Sequence, residues 1–332
     1  MDRKLGKSML STSALGMGCW AIGGPWTWAQ PGREPFPAGW GQIDDEESIR
    51  AIHAALDAGV SFFDTAANYG AGHSEKVLGE ALRGRRDQVV IATKFGHIID
   101  EQAKTVYADN DQILDNVRSD LEGSLQRLDT DSIDIYQLHE GGYDVERAEE
   151  LRGRLEDFVQ EGKIRWYGWS TDLVDRAAVF AEGDHCTSIQ FRLNALFDHP
   201  EMRQLCADHD LAGINKDPLN RGVLTGKFSP ESSFPDDDIR SAWDMSEEEM
   251  RIRLRTVEAL REVFTADGRT MAQGAIGYIW ALDDRMVPIP GFKTVSQVLE
   301  NAAAMEYGPL SEAQMRQIET IVADFQLEVS KS

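Results

Sequence analysis

The chain has 332 residues, 42% of them hydrophobic, enough to bury either one large barrel or two modest domains. Its 57 acidic residues against 34 Lys and Arg leave a net charge of -23, a surface that repels phosphate backbones and acidic headgroups and argues against a nucleic-acid or anionic-membrane partner. Three cysteines, Cys19, Cys186 and Cys206, show neither CxxC nor metal-ligand spacing and read as free thiols of a reducing compartment.

The opening MDRKLGKSMLSTS lacks the apolar stretch of a secretory signal, and no apolar run approaches the roughly 18 residues of a membrane span, so a cytoplasmic location is expected. Residues 1–13 carry a Leu5-Gly6-Lys7-Ser8 turn between two short polar-apolar stretches, a hairpin that could close the bottom of a barrel. A strand is predicted over 14–20, followed by a Trp-, Pro- and Gly-rich loop over 23–42. From there amphipathic and β-branched runs alternate: helix 45–58, strand 61–65, helix 74–83, strand 88–94, helix 111–127, strand 132–139, helix 145–160 and strand 164–170. The alternation continues with helix 173–181, strand 187–193, helix 201–208 and strand 211–216. An acidic loop over 229–238 and an extra helix around 246–264 then precede helix 271–281, strand 286–290 and helix 294–305.

Strands alternating with helices build a parallel sheet covered by helices, and eight is the closing number for a (β/α)8 TIM barrel. No linker interrupts the pattern, so residues 1–332 are expected to form one domain. Gly16-Met17-Gly18 resembles part of a dinucleotide fingerprint, but it lacks the third glycine before a helix, and a Rossmann reading is rejected.

Four polar residues stand at or just past the ends of successive strands: Asp64 in SFFDT, Tyr69 in AANYG, Lys94 in VVIATKFG and His139 in IDIYQLH. In a barrel these ends converge on one mouth. A lysine closing an apolar strand needs a partner; Asp64 can keep it charged, and its cation is expected to lower the pKa of Tyr69 and make the phenol a usable general acid. His139 is expected to hydrogen-bond the substrate oxygen. Such a site has no nucleophile, and His53, His73, His97, His185, His199 and His209 show no metal spacing. The electrons must therefore come from a hydride donor. His73, close to Tyr69, is the loop histidine singled out, and Trp20, Trp26 and Trp28 are candidates for the substrate wall, with Trp40 in the same loop.

These residues resemble the aldo-keto reductases. FFDTAANYGAGHSEKVLGEAL is similar to that family's Asp-to-Tyr signature, ATKFG to its lysine strand and DIYQLH to its histidine strand. GKIRWYGWST, DPLNRGVLTGKF and VPIPGFKTVSQVLENAAA resemble three further blocks in the usual order, and GCWAIGGPW is similar to the bacterial and plant-type branch near the potassium-channel β-subunit relatives. The resemblance implies a catalytic tetrad of Asp64, Tyr69, Lys94 and His139 acting on a small carbonyl compound with NADP(H). It implies that Ser170 and Gln190 bind the nicotinamide carboxamide, and that Pro218, Leu219, Asn220 and Arg221 follow Asp217 over the pyrophosphate. Gly291, Lys293, Gln297 and Asn301 match the adenosine end, where the Lys293 cation suits the 2′-phosphate.

Three departures stand out. Thr171 replaces an asparagine, Lys216 replaces the aromatic residue that stacks on the nicotinamide ring, and Gly291-Phe292 replaces a Lys-Ser pair. Lys216 is then expected near the nicotinamide or its phosphates, or paired with Asp217, while Trp20 or Trp169 supplies the flat face. Two further readings stay open: a cofactor-binding redox sensor with little turnover, and a sugar or polyol dehydrogenase. The periodicity leaves the oligomeric state open.

Overall fold

A computed structural model describes residues 1–329. Eight parallel strands pair in chain order: β1 Gly16–Gly18, β2 Phe62–Asp64, β3 Val90–Phe95, β4 Ile133–Leu138, β5 Ile164–Ser170, β6 Cys186–Arg192, β7 Ala212–Lys216 and β8 Met286–Pro288. The ring closes where the Gly18 N–H donates to the Pro290 carbonyl at 3.0 Å and Gly18 bridges Gly291. This is the expected (β/α)8 barrel.

Period-two alternation assigns each strand residue to the interior or to the helix layer. Phe62, Val90, Ala92, Ile135, Ala212, Ile214 and Val287 pack inside the ring. Phe63, Ile91, Tyr136, Trp169, Ile189 and Phe191 face the other way, into the core beneath the helices. By the same parity Asp64, Lys94 and Gln137 are the last inward residues of β2, β3 and β4.

The N-terminal hairpin forms as expected: Asp2–Leu5 pairs antiparallel with Leu10–Ser13. Leu5 and Leu10 join the interior cluster as its floor, each burial contributing about 1.5–3 kcal/mol. Thr187 Oγ1 donates to the Leu5 carbonyl at 2.5 Å and the Lys7 N–H to the Asp210 carbonyl at 2.7 Å, fixing the plug to β6 and to the turn before β7.

The covering helices are α1 Asp45–Asp57, α2 His73–Ala81, α3 Ile113–Arg127, α4 Val145–Gln160, α5 Val174–Ala181, α6 Pro200–Asp208, α7 Glu248–Phe264 and α8 Met271–Leu282. Their starts are marked locally: Asp44 accepts from the Glu46 and Glu47 N–H groups at 3.0 and 3.3 Å, and Thr270 with Gln273 forms a capping box. Predicted helix 294–305 breaks into Val295–Ala302 and Ala304–Tyr307, and Glu312–Val329 adds a helix that packs on α7 and α8.

Two further differences bear on the site. The first strand is shorter than predicted, so Trp20 lies in the turn entering Ala21–Gly23 instead of on the strand. The loop predicted over 23–42 is ordered: Thr27–Ala29 pairs antiparallel with Phe36–Pro37 and parallel with Thr105–Tyr107, which pairs with Ile98–Asp100. The excursions after β1 and β3 thus share one sheet. Among the described residues no helix is long and apolar enough to cross a membrane. The three cysteines are free and buried, and burial pushes the Cys186 and Cys206 thiols up to about 12.

Gly6 has φ +51, and a Cβ there would lie 2.6 Å from the Asp210 and Thr187 carbonyl oxygens. Gly59, at φ +83, has nothing within 4 Å of such a Cβ. Gly6→Ala is expected to cost about 2–4 kcal/mol of unfolding free energy and Gly59→Ala about 1 kcal/mol, measured by urea denaturation; equal costs would mean that the plug yields freely.

Candidate active site

Lys94 ends the inward row of β3 and its side chain is fully buried. An ammonium has three donors and no acceptor. Lys94 Nζ donates to Asp64 Oδ2 at 2.6 Å, to the Thr65 carbonyl at 2.8 Å and to Tyr69 Oη at 3.2 Å, so every donor is used. Burial lowers the lysine pKa while the Asp64 carboxylate opposes the shift. Asp64 Oδ1 accepts from Gln190 Nε2 at 2.7 Å and from Gln137 Nε2 at 3.3 Å, which holds the carboxylate in one orientation.

Tyr69 is placed by backbone contact. A Cβ on Gly70, at φ +64, would sit 2.0 Å from the Gly23 carbonyl oxygen, and one on Gly23 would meet the Tyr69 carbonyl carbon at 2.7 Å. Only glycine at both positions lets the Ala21–Gly23 turn press the tyrosine loop against the barrel mouth. Because Lys94 can only donate, Tyr69 Oη accepts, and the phenol's own hydrogen remains available.

The expected lowering of the Tyr69 pKa does not occur. Burial, followed by the negative charges of Asp64 and Asp217, pushes it well above the usual phenol range. The phenol is therefore protonated at rest. His139 lies edge-on to Tyr69, with ring centroids 5.7 Å apart. Burial and the cations of Lys94 and Lys216 hold its pKa well below the usual histidine range, so the imidazole is neutral, with one N–H to give.

Above this group opens a cavity of about 850 Å³. Of the sequence-predicted residues, Asp64, Tyr69, His139, Ser170, Gln190, Lys216, Pro218, Leu219, Arg221, Gly291, Lys293, Gln297 and Asn301 line it, as do Trp20, Trp26 and Trp28. Lys94 lies beneath, behind Tyr69. Asn220 is not in the lining; it belongs to the tight left-handed turn, and its N–H bonds the Asp217 carbonyl at 2.9 Å. Gln190 is tethered twice, since its Oε1 also accepts from Ser170 Oγ at 3.3 Å. It retains one N–H and one lone pair.

The structure separates the alternatives weighed for Lys216 and for the flat aromatic face. Lys216 Nζ pairs with Asp172 Oδ2 at 3.4 Å, while Asp217 faces Arg192 and Arg221 at 3.8 and 3.7 Å. Trp169 points outward onto Phe180, 4.8 Å between rings, because its parity on β5 is opposite to that of Ser170. Trp20 instead stacks on Tyr69 at 5.9 Å with 19° between planes, fixed by its Nε1 donating to the Ala38 carbonyl at 3.0 Å. His73 pairs with Asp45 at 2.9 Å outside the cavity. Thr171 spends its hydroxyl on backbone, donating to the Gly141 carbonyl in the connection after β4 at 2.7 Å and accepting the Leu173 N–H at 3.0 Å.

Several lining residues were missed. His97, two residues past the end of β3, is buried in the wall with its pKa pushed down to about 4 by desolvation. Its signal was its place just past a strand end. Asn68 precedes Tyr69 and is 5% exposed. Arg192 and Asp172 share the inward parity of Gln190 and Ser170, which alternation could have exposed. Arg240 follows directly on the acidic loop, forks onto Asp238 at 2.8 and 2.7 Å and covers the Trp40 ring at 4.7 Å; nothing local in the sequence predicts that placement. The lining carries Arg192, Lys216, Arg221, Lys227, Arg240 and Lys293 against five Asp and Glu, in a chain whose net charge is -23.

A profile described as "Aldo/keto reductase family" matches residues 14–323. The chain is 28% identical over 324 residues to the Schizosaccharomyces pombe protein "Aldo-keto reductase yakc [NADP(+)]", covering 95% of this chain and 89% of that one. In structure it is similar to the glycerol dehydrogenase AKR11B4 from Gluconobacter oxydans, with TM-score 0.80 and 28% identity over 98% of this chain and 95% of that one. It is likewise similar to the aldo-keto reductase AKR11C1 from Bacillus halodurans in its holo form, with TM-score 0.76 and 26% identity over 96% and 95% of the two chains. Since the matched region runs from β1 through β8 and takes in every strand end that builds the Lys94 site, the chain belongs to the aldo/keto reductase family.

Proposed function

We propose that the protein is a cytoplasmic, NADPH-dependent reductase of aldehydes or ketones, folded as one barrel domain, with Tyr69 as the general acid. The observation that carries this reading is the hydrogen bond from Lys94 to Tyr69 Oη at 3.2 Å, which leaves the phenol proton free beside a neutral imidazole at the floor of a cation-lined cavity.

The residues present fit a phosphorylated dinucleotide. Arg221 Nε is buried without a hydrogen-bond acceptor, and Lys293 and Arg240 line the same cavity and act on each other electrostatically. Phosphate oxygens satisfy such groups. Pro218, Leu219, Asn220 and Arg221 would support the pyrophosphate. Lys293, with Gly291, Gln297 and Asn301, would hold the adenosine end and its 2′-phosphate. Ser170 and Gln190 would take the carboxamide, with Lys216 beside it and Trp20 offering a flat face near the reacting atoms. The yakc relative is named for NADP(+), which agrees with this choice. When bound, the nicotinamide supplies a hydride to the carbonyl carbon.

The chain's own residues manage the proton. A substrate oxygen placed between Tyr69 Oη and His139 receives two hydrogen bonds. As negative charge grows on that oxygen, Tyr69 transfers its proton, and the phenolate left behind lies against the Lys94 ammonium, which Asp64 keeps charged and oriented. Lys94 thus acts after the proton leaves and need not acidify the resting phenol. Acid assistance of this kind is worth roughly a hundred- to ten-thousand-fold.

Tyr69→Phe is expected to remove that factor from kcat, followed as NADPH oxidation with a simple aldehyde, while a fluorescence titration still shows NADPH binding; undiminished turnover would remove Tyr69 from the role of acid. Lys293→Glu is expected to weaken NADPH at least tenfold more than NADH in the same titration. Equal losses would place the 2′-phosphate elsewhere.

A further inference from the structure

Six rings follow one another around the reacting corner of the cavity. Trp20 stacks on Tyr69 at 5.9 Å, Tyr69 meets His139 at 5.7 Å, His139 meets His97 at 5.1 Å, His97 meets Trp28 at 4.8 Å and Trp28 meets Trp26 at 6.1 Å. An unadorned aromatic wall would suit an apolar aldehyde. This wall, however, carries buried polar atoms without hydrogen-bond partners: Asn68 Oδ1, His97 Nδ1 and Trp26 Nε1. The Asn68 residue is 5% exposed and the His97 side chain 8%, so both are deeply buried and both line the cavity. Buried polar groups are ordinarily satisfied, and a substrate without polar groups would leave these bare in the closed complex.

Their positions say where a ligand's polar group would sit. Asn68 adjoins Tyr69 in the chain, and the His97 ring touches that of His139, so the two flank the pair that would hold the carbonyl oxygen. His97 stays neutral, since burial pushes its pKa down to about 4, and a neutral imidazole with an amide suits a hydroxyl better than a carboxylate.

We infer that Asn68 and His97 form a hydroxyl subsite, selecting uncharged carbonyl compounds that bear a hydroxyl on the carbon next to the carbonyl. Asn68 Oδ1 accepts the hydroxyl hydrogen, His97 bonds the hydroxyl oxygen or a neighbouring one, and the Trp26 and Trp28 rings cover the C–H faces. The inference rests on the reductase reading above and assigns its substrate class.

The test compares kcat/KM for glyceraldehyde and for propanal, which has the same carbon chain without hydroxyls, with NADPH as donor. The wild-type protein is expected to favour glyceraldehyde by about 10- to 100-fold, because a site built to bond a hydroxyl discriminates against the analogue that lacks it. Asn68→Leu and His97→Phe, which lie on different loops, should each reduce that ratio severalfold or more, chiefly through KM for glyceraldehyde. His97→Gln, which keeps a hydrogen-bonding amide, should restore much of it. A wild-type ratio near one, or a ratio that survives both apolar variants, would overturn the subsite while leaving the reductase reading intact. Bound NADPH oxidised by neither aldehyde would overturn the reductase reading itself, and the subsite with it.

Discussion

A lysine ammonium deep in a barrel mouth has to be neutralised where it stands, and the rest of this site is arranged around that requirement. Removing one partner of such a pair leaves an uncompensated buried charge, typically at a cost of about 3–5 kcal/mol. Here Asp64 supplies the charge, and the Thr65 carbonyl and Tyr69 Oη take the remaining donors of Lys94. Asp64 is in turn held by Gln190 and Gln137. Strands β2, β3, β4 and β6 therefore each contribute to fixing one ammonium, and the orientation of the Tyr69 proton follows from the fact that lysine cannot accept.

The same low-dielectric setting explains the three pKa shifts that matter. Desolvation disfavours the charged form of any group, so it keeps the phenol protonated and the two adjacent imidazoles neutral. A neighbouring cation has most effect on Tyr69 once negative charge has moved onto it. The phenol thus keeps its proton with the Lys94 cation directly behind its oxygen.

Around this fixed floor the upper walls come from connections that are remote in sequence and bind each other. The Ile239 N–H donates to the Gly39 carbonyl at 2.8 Å, Gln42 reaches Asp237 at 3.0 Å, Lys293 Nζ donates to the Trp40 carbonyl, and Arg240 lies over Trp40 and Phe234. The acidic loop after β7 and the aromatic loop after β1 are thus one structure above the cavity. Active sites gather at this end of a barrel because the strand ends are rigid and the loops between them are free to vary.

Much of this was legible along the chain. The strand–helix alternation identifies the barrel, the plug hairpin announces itself by its Gly6 turn, and alternation along each strand carries Asp64, Lys94, Gln137, Ser170, Gln190 and Lys216 inward together. The same rule, applied to β5, turns Trp169 outward. Local periodicity suffices for these because it concerns residues a few positions apart, whose relative directions the backbone dictates. Partner choice and burial are different in kind. That His97 instead of His73 enters the cavity, that Lys216 pairs with Asp172, that Gln190 reaches Asp64, that Arg240 covers Trp40 and that Tyr69 is harder to ionise than a free phenol all depend on segments that meet only when the ring closes. The sequence by itself determined the barrel and which strand faces look inward; the tertiary structure decided which charges meet and how dry they are, because Coulomb and desolvation energies depend on distances through space.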